Sequence, residues 1–105
     1  MIARIWHGRT KTNDADVYRQ YVIETGIIGY RSIKGNLGAQ IWQQQEGDIT
    51  HICTISWWDS YGSIKAFAGD DYEKAKYYEE DKKYLLEFES TVQHYECYDF
   101  RPQVN

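Results

Sequence analysis

No apolar run in this chain approaches the roughly 20 residues that a membrane-crossing helix requires, so a helical membrane span is excluded. Blocks of Lys or Arg are missing too, and the formal net charge is −4, which argues against a nucleic-acid partner. Lys74, Lys76, Lys82 and Lys83 are interleaved with Glu and Asp, so that region reads as a solvated face. Phosphate-cradling loops, the GxGxxG fingerprint and GxSxG are all absent, which leaves nucleotide, dinucleotide and serine-hydrolase functions without support. Cysteine is scarce. Cys53 and Cys97 show no CxxC spacing and fall inside expected strands, as buried thiols do, rather than metal or redox groups. Met1-Ile2-Ala3-Arg4 enters strand pattern without the apolar core of a signal peptide, so a cytoplasmic location is expected. There is no repeat, low-complexity segment or linker. Residues 1–105 read as one domain, with 101–105 as a loose tail.

Aromatic residues, by contrast, are abundant: 16% of the chain, with ten Tyr and four Trp. Large rings with polar tips serve cores, interfaces and pockets alike. Ile2 to Arg9 has the pattern of a first strand, and Thr12 or Asn13 can cap a helix carrying Val17, Tyr18, Tyr21 and Val22 at helical spacing. Gly26 is the expected end of that helix, followed by a turn or loop over 27–30. A second strand opens at Gly35-Asn36-Leu37-Gly38 and runs to Gln45, and Glu46-Gly47-Asp48 signals a hairpin into a third strand, Ile49 to Trp58. Asp59-Ser60 caps a short helix that stops at Gly69. Asp70-Asp71 can start another helical piece holding Tyr72, Ala75 and Tyr78, and the last strand is expected over 89–100.

The order β-α-β-β-α-β is the ferredoxin-like α+β plan, with an antiparallel sheet and helices on one face. The other face is not cleanly polar. Ile49, Cys53, Ile55 and Trp57 point one way on the third strand and Ile52 and Trp58 the other. A sheet with one wet face alternates more strictly, so a second copy is expected to cover the open side as a homodimeric α+β barrel.

Each candidate for chemistry has a plainer alternative. His94, with His7, suits a general base in a pocket, or else a hydrogen-bonded histidine within the dimer barrel. With the first and third strands taken as parallel, His7 and His51 fall more than about 10 Å apart, so no three-histidine metal site is expected, and His51 reads as exposed. Trp6, Trp57 and Trp58, with Trp42, can stack on a planar ligand or serve packing. Tyr77 and Tyr78 fit a lid or a surface cover, and Asn36 a substrate hydrogen bond or a turn device. Asp70, Asp71, Glu73, Glu79, Glu80 and Asp81 lack the spacing of a calcium loop and read as solvated.

The segments at 2–8, 35–38, 56–60 and 64–69, the Tyr77-Tyr78 pair and Val92-Gln93-His94-Tyr95-Glu96 together resemble the antibiotic biosynthesis monooxygenase (ABM) family, over nearly the whole chain. The resemblance implies cofactor-independent oxygenation of a small phenolic or polycyclic aromatic compound or quinol. It assigns His94 as base, Trp6, Trp57 and Trp58 as aromatic enclosure, and Tyr77 or Asn36 as oxyanion partner. The family's haem-degrading branch uses an Asn on the first strand, a Trp near the end of the third, a role open to Trp57 or Trp58, and a His on the following helix. This chain has Trp6-His7 and Gly69 at the places of the Asn and the His, so haem is not favoured and no cofactor is expected.

Overall fold

The computed structural model describes residues 1–101, so all of the expected tail except Arg101 lies outside the described residues. Four strands form one antiparallel sheet in the order β2-β3-β1-β4: β1 Ile2–Lys11, β2 Asn36–Glu46, β3 Ile49–Trp58 and β4 Gln93–Glu96. Helices α1 (Ala15–Val22) and α2 (Ile28–Tyr30) lie between β1 and β2, and α3 (Tyr61–Ala68) follows β3. This is a ferredoxin-like α+β fold.

β1 and β3 are antiparallel, not parallel: His7 stands opposite Cys53 and Arg9 opposite His51. The cause is topological. The helical crossover returns the chain so that β2 runs with β1, and the hairpin at 47–48 then reverses β3. The reversal brings His7 and His51 together, and the expected separation between them does not hold.

The first helix does not end at Gly26. A single wide π turn, Ile23–Ile27, carries it on into α2. Ile27 is buried, so tertiary burial outweighs the roughly 1 kcal/mol that glycine costs a helix. The expected caps Thr12 and Asn13 instead lie in a short 3-10 turn, Thr12–Asp14, and Asp14 precedes α1 without a side-chain cap bond. α3 is bounded as its sequence indicates: Ser60 Oγ accepts from the Ser63 amide at 3.2 Å, and Gly69, at φ 89°, closes the helix in a conformation that a side chain would strain.

The helix expected after Asp70 does not form. Residues 70–78 make a strap that bonds to the segment before β4, with Ala75 N–H donating to Ser90 and Val92 N–H to Glu73. Only a 3-10 turn, Glu79–Lys83, is helical there. Because residues 87–92 leave the β1 edge to meet this strap, β4 shrinks to Gln93–Glu96, paired with Ile2–Ile5. An isolated bridge between Thr10 and Leu85 protects the far end of that edge.

Side-chain alternation then divides the sheet. Ile2, Arg4, Trp6, Gly8 and Thr10 of β1 and Ile52, Thr54, Ser56 and Trp58 of β3 face the helices. One core cluster gathers Ala15, Tyr18, Val22, Ile52 and Leu85, and another Ile2, Trp58 and Ile64. On the opposite face, Trp42 is 51% exposed and Tyr95 57%.

Candidate functional site

A hollow of about 210 Å³ lies between the sheet and the first helix. Trp6, Tyr18, Tyr21, Tyr30, Phe67 and Tyr78 supply its aromatic walls, and the π turn contributes Thr25 and Gly26. A smaller lobe of about 90 Å³ shares Trp6, Tyr30, Phe67, Lys76 and Tyr78 and adds Arg4 and Val92. The indole of Trp6 is held by tilted contacts with Tyr18 (6.4 Å) and Tyr77 (6.3 Å). It also overlies Gly8, where a Cβ would sit 2.6 Å from the Trp6 ring and 2.8 Å from Leu85. Glycine at that strand position is what lets the indole lie flat across the sheet.

The hollow holds one carboxylate, Asp81, which is 5% exposed. It accepts from Tyr18 Oη at 2.8 Å and from the Tyr78 amide at 2.6 Å. A solvated face was expected here; Asp81 is instead a buried clip tying the 79–83 turn to α1. Burial, and then the bond to Asp81, push the Tyr18 phenol far above its ordinary pKa, so it acts as a permanent donor.

The cationic counterpart is Arg4. Alternation carries this charged residue into the apolar register between Ile2 and Trp6, and it is 7% exposed. One guanidinium nitrogen donates to the Tyr72 carbonyl at 3.1 Å, and the group sits 5.9 Å from the Phe67 ring centre. Its Nε is buried without a partner. Burial lowers the Arg4 pKa, against a smaller opposing effect from Tyr30.

His94 faces the same side of the sheet, opposite Arg4 in register. It lines a separate polar niche with Tyr61, Tyr72 and Glu73, and Val92 borders both that niche and the Arg4 lobe. The Tyr72 ring meets the imidazole edge-on at 5.1 Å, and His94 Nε2 is buried without a partner. Burial first, and the Arg4 charge second, depress its pKa, while Glu73 opposes them. The group is therefore a neutral imidazole near pH 7.

His7 does not join His94, because β4 pairs only with Ile2–Ile5 and His7 faces the opposite side. On that open face His7 Nδ1 meets Glu89, and its Nε2 lies 2.9 Å from His51 Nδ1. The two imidazoles stack at 5.2 Å, so His51 is half-buried rather than exposed. Cys53, half-buried, faces the same way, and Cys97 lies just beyond β4; both are free thiols.

The tryptophans separate by face. Trp6 lines the hollow. Trp58 is fully buried behind it, stacked on Phe67 at 5.2 Å with its Nε1 donating to Ser56 Oγ. Trp57, paired with Ala3, lies on the open side with Trp42. Tyr78 stands exposed at the mouth of the hollow, while the Tyr77 hydroxyl donates to the Glu89 carbonyl at 2.6 Å, behind Trp6. Asn36 turns both ends of its amide on the entry to β2: Nδ2 donates to the Trp57 carbonyl and Oδ1 accepts from the Gly38 amide.

Arg4, Tyr30 and Phe67 were not among the residues singled out from sequence, and Asp81 was read with its acidic neighbours as part of a solvated face. For Arg4 a signal existed, a charge in the apolar register of a strand. For Asp81 the surrounding acidic run concealed it.

No family profile matches the chain, and neither does any curated protein. Among solved structures, that of Rv0793 from Mycobacterium tuberculosis is similar, with a TM-score of 0.58 at 12% identity over 97% of this chain and 100% of that one. At that identity the likeness establishes the ferredoxin-like fold alone. Among the described residues, no helix is long and apolar enough to cross a membrane.

Proposed function

We propose that the hollow binds a small phenolic or polycyclic aromatic compound or quinol, and that the protein is an ABM-like, cofactor-independent monooxygenase acting on it. The observation that carries this reading is the hollow itself: about 210 Å³, aromatic on several sides, with the sheet as its floor. Such a shape suits a flat apolar ligand held away from bulk water. His94 is the proposed base, a neutral imidazole whose buried Nε2 has no protein partner; it lines the neighbouring niche rather than the hollow, so it serves a substrate that extends from the Arg4 lobe past Val92. The substrate proton passes to His94, and the resulting anion transfers an electron to dioxygen. Recombination gives a peroxide anion, which takes back the proton from His94 as a hydroperoxide and then loses water. For a substrate with an activated methylene, such as an anthrone, CH₂ plus O₂ becomes C=O plus H₂O, so the atoms balance without an external reductant. Of the two lid tyrosines, Tyr78 lines the hollow and Tyr77 does not.

Haem is left out of the proposal, because no His or Cys lines the hollow and burial holds the phenols of Tyr18, Tyr21 and Tyr30 toward their protonated form, away from the phenolate an axial tyrosine must supply. No step is therefore assigned to haem. The assembly we propose is a homodimer in which the face bearing Trp42, Trp57 and Tyr95 packs on a second copy, forming an α+β barrel. The free thiols of Cys53 and Cys97 are in keeping with a reducing, cytoplasmic setting.

The test is oxygen uptake with a panel of anthrones and quinols, run on the parent protein and on His94→Ala. Turnover by the parent and its loss in the variant are expected. A panel with no substrate refutes the oxygenase reading, and unchanged turnover in His94→Ala removes His94 as base.

A further inference from the structure

A cation buried this deeply is ordinarily paired, because removing it from water costs far more than one hydrogen bond returns. Arg4 offers five N–H donors, yet its one hydrogen bond among the described residues is to the Tyr72 carbonyl. The Phe67 ring gives it partial cation–π support. No carboxylate among the described residues lies within 4.0 Å of the guanidinium. Tyr30 lies close enough to feel its charge, but burial keeps that phenol protonated. The other titratable groups lining the same lobe are Lys76, also cationic, and the phenol of Tyr78; none is a carboxylate. Asp81 lines only the larger lobe, where Tyr18 and Tyr78 already occupy its two oxygens.

We propose that this lobe is an anion site, and that the ligand is an aromatic compound bearing a carboxylate or comparably stable oxyanion. The anion sits against the part of the Arg4 guanidinium that borders the lobe, and Lys76 adds a second positive charge at the mouth. The ring lies between Trp6, Tyr30 and Phe67. This inference rests on the hollow being a ligand site, but not on any oxygenase chemistry there. It also gives the site an orientation, since the charged end of the ligand enters the Arg4 lobe, next to Val92 and the His94 niche.

The experiment is isothermal titration of the parent protein with 2-naphthoate and, separately, with 2-naphthamide, which keeps the rings and removes the charge. A hydrogen-bonded charge pair in a dry site predicts that the acid binds about tenfold tighter or better. The preference is expected to vanish in Arg4→Met, to survive in part in Arg4→Lys, and to fall only slightly in Lys76→Met, where the cation is exposed. Equal affinities in the parent, or a preference that persists in Arg4→Met, overturn the anion site and leave the aromatic hollow standing. If neither probe binds, the hollow fails as a ligand site and the inference fails with it. Should Arg4→Met not fold, the comparison in the parent together with Lys76→Met still decides: a preference abolished by Lys76→Met is a surface effect and refutes the role of Arg4.

Discussion

Arg4→Met is the substitution for which stability and function should move in opposite directions. Met has nearly the length of the arginine stem and no charge, so it can occupy the same strand position without leaving a large void. The change removes one charge-assisted hydrogen bond, to the Tyr72 carbonyl at 3.1 Å, which is worth about 1.5–3 kcal/mol. It also removes a 5.9 Å approach to the Phe67 ring, worth about 1 kcal/mol. Against these stands the desolvation of a guanidinium that is 7% exposed and has no counter-ion among the described residues, a penalty of several kcal/mol. The balance favours the variant by about 1–3 kcal/mol. In a domain of this size that corresponds to a Tm rise of about 4 °C or more. Urea denaturation of parent and variant checks this, at one fixed protein concentration because association would shift both midpoints. A midpoint raised at unchanged m-value is expected. A loss exceeding about 1 kcal/mol would mean that Arg4 is a net structural asset, and the premise of an unneutralised cation waiting for a ligand would be wrong.

Three further outcomes follow from the same geometry. Tyr18→Phe leaves Asp81 Oδ1 buried without its donor, so a loss of about 1–3 kcal/mol is expected in denaturant unfolding; a neutral result would mean that water replaces the phenol. Gly8→Ala drives a Cβ to within 2.6 Å of the Trp6 ring, and should cost about 1–3 kcal/mol while weakening any ligand that stacks on Trp6, as titration would reveal. His94 should titrate below the ordinary histidine value by NMR, since burial and the neighbouring Arg4 charge both disfavour its protonation. The unfolded chain takes up that proton first, so this contribution is intact above about pH 6.5 and is lost as the pH falls from there toward the folded-state pKa. Arg4→Met should shift the midpoint upward, and a midpoint at or above the ordinary value would contradict the placement.

The local signals that were legible share a cause: each depends on chemistry within a few residues. Strand β3, the Ser60 cap and the Gly69 stop follow from alternation, a hydroxyl at the right offset and a residue without Cβ. The errors came where distant parts of the chain compete. The helix past Gly26 persists because Ile27 is buried against other elements, and the strap at 70–78 makes a turn over 70–73 and then pairs with residues 90–92 instead of forming a helix. The His7–His51 contact depends on strand direction, which no local pattern reveals.

From the amino-acid order alone came the element sequence, the ferredoxin-like plan and the apolar character of both sheet faces, because periods of 2 and 3.6 are written into neighbouring residues. Only the tertiary structure decided that Trp6 and Trp57 lie on opposite sides of the sheet, that Asp81 is clipped between Tyr18 and Tyr78, and that Arg4 is buried against the Phe67 ring. Those facts depend on which residues far apart in the chain exclude water from one another, and that is set by packing rather than by sequence spacing.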